Sequence, residues 1–134
     1  MTNTQMMRFK AALETKREEL GQEILAQSGE LAIHDGGSDP IDRLQSMRQR
    51  DDAVTAIERL SRVRSDVDAA LGAISEGVYG ECARCGEPIS LKRLETVPWA
   101  GNCVNCQEWI ERREAAQAPN PAWALHFDRY REAA

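Results

Sequence analysis

CARCGEPISLKRLETVPWAGNCVNC, residues 82–106, holds all four cysteines of the chain. They form two Cys-x-x-Cys pairs, Cys82/Cys85 and Cys103/Cys106, separated by the seventeen residues 86–102. A Cys-x-x-Cys turn aims two thiolates at one point, and two such turns complete a tetrahedron. The spacing therefore predicts a single structural Zn²⁺ held by Cys82, Cys85, Cys103 and Cys106. Gly86, directly after the first pair, can take the positive φ that turns backbone N–H groups toward sulfur. Four protein ligands leave no open position for water, so the metal is expected to be structural and not catalytic. Two rival readings are less favoured. Disulfides require an oxidising compartment, and MTNTQMMRFKAALE at residues 1–14 has no apolar signal-peptide core. A redox pair belongs between a strand and a helix in a βαβ setting, which the pattern lacks.

Working outward, the surrounding chain is rich in Ala, Glu, Arg, Leu and Gln, with 29% charged and only 5% aromatic residues among its 134. That composition favours long exposed helices over a thick core. From about residue 4 to 33, Met6, Leu13 and Leu20 recur at sevens, with Ile24 and Leu31 in a second register, a heptad-like stripe too narrow to be a core alone. Gly21 and Gly29 weaken this helix by up to about 1 kcal/mol each. His34-Asp35-Gly36-Gly37-Ser38 breaks the pattern. Asp39-Pro40-Ile41-Asp42 then reads as a helix start: Asp39 as N-cap, Pro40 at the first helical position, and Asp42 favourable to the dipole. The second helix is expected to run to about Ser75 on Leu60, Val67 and Ile74. Ile57, Val63 and Leu71 stand beside that seam, and Leu44, Met47 and Val54 are expected to carry the stripe back toward the turn.

The fold class predicted is mainly α: an antiparallel coiled-coil helical hairpin with a C-terminal C4 zinc-finger module and a short C-terminal helix. Its arms, of about thirty residues each, would be about 45 Å long. The expected division is a hairpin over 1–77 with its tip at 34–42, a finger and following helix over 78–117, and an extension over 118–134. Pro88 and Pro98 exclude a long helix between the knuckles, and 91–94 fits one turn. A helix is expected from the second knuckle to about Gln117. Trp123, Leu125, Phe127 and Tyr130 of the extension fit either a short helix docked on the finger or a tail ordered by a partner.

Charge bounds the function. Seventeen basic residues meet 22 acidic ones, a net of −5, which disfavours sequence-independent binding to phosphate backbones. Over 78–116 five basic residues face six acidic ones, a net of −1, whereas a GATA-like DNA-binding finger with the same gap carries a basic helix and tail. No run approaches the length of a membrane span, and a soluble cytoplasmic protein is expected. His34 and His126 read as solvated loop or tail residues, and Trp99, Trp109 and Trp123 as packing around the finger.

These residues together resemble the DksA/TraR family of bacterial transcription factors. The likeness is carried by Asp39-Pro40-Ile41-Asp42-Arg43, by the run from Gly77 through Tyr79 and Gly80 to Gly86, by Ile89, Arg93-Leu94-Glu95 and Pro98, and by Cys103-Val104-Asn105-Cys106. It implies a non-enzymatic regulator that binds RNA polymerase directly, as a monomer and without touching DNA. The coiled coil enters the secondary channel, bringing the tip residues Asp39 and Asp42 toward the catalytic region, while Arg93 belongs to the docking surface. Leu44 departs from the alanine usual in the family. Where basic residues of studied members bind the alarmone ppGpp, this chain has Asp66, Val97 and Gln107. Little or no response to ppGpp is therefore expected. The alternative from another class is a coiled-coil and zinc adaptor for some other macromolecule.

Overall fold

The computed structural model describes residues 1–33 and 39–117. Four helices follow one another: α1 over Asn3–Ile33, α2 over Pro40–Glu76, α3 over Leu91–Thr96 and α4 over Val104–Gln117. Among the described residues there is no strand, and one isolated antiparallel bridge joins Glu81 to Pro88. Residues 34–38, most of the expected tip loop, and the extension at 118–134 lie outside the described residues. The chain divides into two compact units, Met1–Cys103 and a second that begins at Val104.

In the first unit α1 starts on a reciprocal cap. The Thr2 hydroxyl accepts from Gln5 N–H at 3.2 Å, and Gln5 Oε1 accepts from Thr2 N–H at 3.0 Å. This capping box satisfies two donors that would otherwise be orphaned. Asp39 caps α2 as expected, its Oδ1 accepting from Ile41 N–H at 3.1 Å, with Pro40 opening the helix and Asp42 in its first turn. The helix closes on Gly77 in the left-handed region, φ 76°. Gly77 N–H bonds to Ile74 C=O and Val78 N–H to Ala73 C=O. This is the Schellman arrangement, which glycine adopts without a Cβ clash.

α1 and α2 pack along one another. Arg17 Nε meets Asp68 Oδ1 at 2.9 Å, and a Cβ on Gly21 would stand 3.9 Å from Arg64 Nη1. As position rises on α1 its partner falls on α2, so the pair is antiparallel. Leu13 and Leu20 of the expected α1 stripe are buried with Phe9, against Ala53, Leu60, Val67 and Ala70 of α2. Met6 and Ile24 are half-buried.

The seam of α2 departs from expectation toward the tip. Leu44, Met47 and Val54 are 62%, 61% and 43% exposed, and the stripe is continued instead by buried Ala53 and half-buried Ser46. Positions 46, 53, 60, 67 and 74 form one heptad line. Met47 and Val54 each follow a seam position by one residue, about 100° around the helix, while Leu44 lies about 160° from Ser46. The register adds a second reason. Carried along from the 17–68 pair, it sets Ile33 opposite Asp52, so α2 before Asp52 runs past the end of α1. Those turns have no described helix to bury against.

In the second unit, α4 carries its own surface pairings. Gln107 Nε2 donates to Glu111 Oε1 at 3.0 Å, and Arg113 stands 4.8 Å from the Trp109 ring centroid. Trp109 is 40% exposed, and a guanidinium on its own helix lies over the indole. No helix among the described residues is long and apolar enough to cross a membrane.

Candidate metal centre

Two glycines shape the first knuckle. Gly80 has φ 87° and Gly86 φ 75°, both left-handed. Between them the chain folds back on itself, with Cys82 N–H to Glu87 C=O at 2.8 Å, Gly86 N–H to Cys82 C=O at 2.9 Å and Ile89 N–H to Gly80 C=O at 2.7 Å. Gly80 is constrained twice, because a Cβ there would come within 3.1 Å of Met1 Cε and 3.6 Å of Leu94 Cδ1. The second knuckle is tied to the first by Ala83 N–H to Gly101 C=O at 2.9 Å.

The result is a cluster of four sulfurs. The Sγ atoms of Cys82, Cys85, Cys103 and Cys106 all lie within 4.8 Å of one another, and none is in a disulfide. Zn–S bonds of about 2.3 Å in a tetrahedron separate sulfurs by about 3.8 Å. Cys85 and Cys103 Sγ stand at 3.8 Å. The donor set thus fits one Zn²⁺ with four thiolates. The backbone N–H of Cys85, followed by that of Cys103, hydrogen-bonds Cys82 sulfur and lowers its thiol pKa to about 6. The turn favours the thiolate that a metal requires. When bound, the ion cross-links two loops. Nothing in the set leaves an open coordination position for chemistry.

Around this centre the finger closes on α1. Leu94 of α3 is fully buried, with Ile89 and Tyr79 beside it in the buried set. The Tyr79 ring meets Phe9 at 5.7 Å between centroids, tilted by 49°. Its hydroxyl donates to Pro98 C=O at 2.7 Å, and desolvation raises its pKa to about 12. Lys16 Nζ lies 5.6 Å from the Trp99 ring centroid, a second α1-to-finger contact. Ser90 caps α3, its hydroxyl accepting from Arg93 N–H at 3.2 Å. Arg93, expected as a docking residue, directs Nε–H at Asn102 C=O, 3.0 Å away.

The tip aspartates sit at the other end of α2. A helix of 37 residues spans about 55 Å, so Asp39 and Asp42 are far from the sulfurs along it. Both are exposed. Reading the sequence missed three contributors. Phe9 lies three residues after Met6 and four before Leu13, on the same face of α1, and was legible from the period. Thr2-x-x-Gln5 is a capping box in plain sequence and was legible too. Asn102 has no motif of its own.

Residues 77–112 match the profile of the prokaryotic dksA/traR C4-type zinc finger. The RNA polymerase-binding transcription factor DksA of Caulobacter vibrioides is 36% identical over 119 residues, covering 85% of this chain and 81% of its own. The factor of that name from Buchnera aphidicola of Schizaphis graminum is 31% identical over 121 residues, covering 88% and 79%. Among solved structures, the transcription factor DksA2 from Pseudomonas aeruginosa superimposes with a TM-score of 0.73 at 34% identity, covering 86% of this chain and 89% of that one.

Proposed function

The chain belongs to the dksA/traR C4-type zinc-finger family, and from that premise we propose that it is a transcription factor that acts by binding RNA polymerase. The observation that carries this reading is the extent of the likeness. Similarity to proteins named as RNA polymerase-binding factors runs over 119 residues, helical hairpin as well as finger, so it is not a matter of four cysteines alone. A shared finger would support a shared metal; a shared hairpin supports a shared partner.

In this reading α2 delivers Asp39 and Asp42 into the secondary channel, toward the catalytic region, while the finger end docks outside. Three properties support it: a helix of about 55 Å, exposed carboxylates at its first turn, and a net charge of −5 that disfavours DNA as the direct target. The protein acts in the cytoplasm, as a monomer and without catalysis of its own. Asp66, Val97 and Gln107 offer no cation for ppGpp, and Gln107 is already engaged with Glu111. Transcription from a responsive promoter should therefore change little when ppGpp is added, and strong synergy would refute that part.

Capture of core RNA polymerase by the zinc-loaded protein, competed by another secondary-channel protein, tests the main claim. Uncompeted binding, or none, would favour the adaptor reading. Asp42→Asn isolates the tip. Asp42 is not the capping side chain of α2, so the variant should keep its helicity and its polymerase capture yet lose the effect on transcription. Retained regulation by that variant would remove Asp42 from the mechanism.

A further inference from the structure

Arg93 and Asn102 form a chain of contacts that ends on a metal ligand. Arg93 Nε–H donates to the main-chain carbonyl of Asn102 at 3.0 Å, and Asn102 Oδ1 accepts from Cys82 Sγ at 3.7 Å. Asn102 immediately precedes Cys103, so the bond from α3 fixes the residue that launches the second knuckle. Its side chain reaches across to the first knuckle. The Arg93 side of this arrangement is itself rigid. Ser90 caps α3 at Arg93 N–H, and Leu94, the next residue, has no exposed surface. The Arg93 side chain directs its Nε–H at this carbonyl.

We infer that Arg93 and Asn102 are positioning residues of the metal centre: Arg93 holds the second knuckle by its backbone, and the Asn102 side chain links that knuckle to Cys82 of the first. Hydrogen bonds to ligating atoms orient them and tune how strongly they donate, and removing such a partner typically weakens metal affinity by roughly 10- to 100-fold. Arg93 is not barred from touching a partner through its outer nitrogens, but its Nε is committed to the knuckle.

The test is zinc affinity of the full-length chain, measured by competition with a chromophoric chelator, together with the absorption spectrum of the Co²⁺-substituted protein. Arg93→Ala should weaken zinc binding by roughly tenfold or more, and Arg93→Lys, which retains a donor, should recover part of it. Asn102→Ala keeps the backbone carbonyl and loses the amide. It should weaken zinc binding and shift the thiolate-to-cobalt charge-transfer band, which a purely structural change elsewhere would leave in place. Asn102→Asp should be worse than Ala, since it sets a carboxylate beside the thiolates. Circular dichroism of each variant establishes that α1 and α2 remain. Native zinc affinity in Arg93→Ala, with polymerase capture lost, would overturn the inference and return Arg93 to docking alone. An unshifted cobalt spectrum in Asn102→Ala would overturn the amide's part.

Discussion

At one end of α2, Gly77 leads into a finger where Leu94 is fully buried, Tyr79 is wedged against Phe9 and four sulfurs converge. At the other end Ile41, Leu44 and Met47 are all more than 60% exposed, and the helix start is held by the Asp39 side chain. The finger end is over-determined: metal, hydrogen bonds, aromatic contact and burial each specify the same arrangement. The tip end is specified by local helix chemistry. The difference suits a protein whose one end must keep its shape while the other meets a partner, and it ranks the consequences of perturbing each.

Metal removal should have the largest effect. Binding of a structural Zn²⁺ to four thiolates is worth on the order of 10 kcal/mol or more to small domains. Chelation, or Cys82→Ser, should release the finger and expose the Gly77–Cys103 segment to protease while α2 stays helical near Asp39. In the metal-free protein acid should act on the same knuckle. The Cys82 pKa is lowered from 9.0 to about 6, so its stabilising contribution is present above the unfolded thiol range and is lost as pH falls through about 6. Thiolate absorbance of the metal-free protein followed against pH checks this, and a Cys82 thiol that ionises only near 9 would show that the knuckle N–H groups do not favour the thiolate.

One substitution made at both ends sharpens the contrast. Leu13 has no exposed surface and Leu44 is 62% exposed. Leu13→Ala should cost about 2–5 kcal/mol in thermal or denaturant unfolding, whereas Leu44→Ala should stay within about 0.5 kcal/mol. If Leu44→Ala leaves stability alone but changes transcription, the exposed leucine belongs to function. Equal costs at the two sites would mean that the tip is packed after all.

How much of this was legible depends on whether the cause was local. The sulfur cluster, the Asp39 cap and the Gly77 stop are written within a few residues of sequence, where spacing and side-chain chemistry suffice. The α1 stripe was read correctly at Leu13 and Leu20 because a heptad repeats. The same reasoning misplaced Leu44, Met47 and Val54. An apolar residue counts toward a seam only while a partner helix lies opposite, and that depends on where α1 ends relative to α2, a property of the pair. Phe9, at the three-four spacing between Met6 and Leu13, was legible and was overlooked, and only its Tyr79 partner, 70 residues away, was not. Asn102 was missed because it is explained by Cys82, 20 positions away, and that distance follows from no period.

Tyr79 offers a smaller and more specific test of the finger end. Tyr79→Phe keeps the ring against Phe9 and removes the hydroxyl that donates to Pro98 C=O at 2.7 Å. The loss should be about 0.5–1.5 kcal/mol, the net worth of one such bond. In the native protein the hydroxyl has its pKa raised to about 12, so the contribution is fully present below pH 10 and is lost as pH rises through about 12. Tyrosinate absorbance should show one tyrosine ionising late, and the Phe variant should lack it.

The smallest effect is expected at the tip's own cap. Asp39 Oδ1 accepts from Ile41 N–H at 3.1 Å, and replacing an N-cap carboxylate by alanine typically costs about 1 kcal/mol. Asp39→Asn keeps an acceptor oxygen and should cost less in unfolding experiments. The pair separates two roles that one residue combines. Should Asp39→Asn leave stability and helicity near native while transcription fails, the charge is needed at the polymerase and the cap is incidental to it. Should Asp39→Ala and Asp39→Asn regulate equally well, the side chain serves only to start α2. Asp42 would then stand alone as the tip's acting carboxylate.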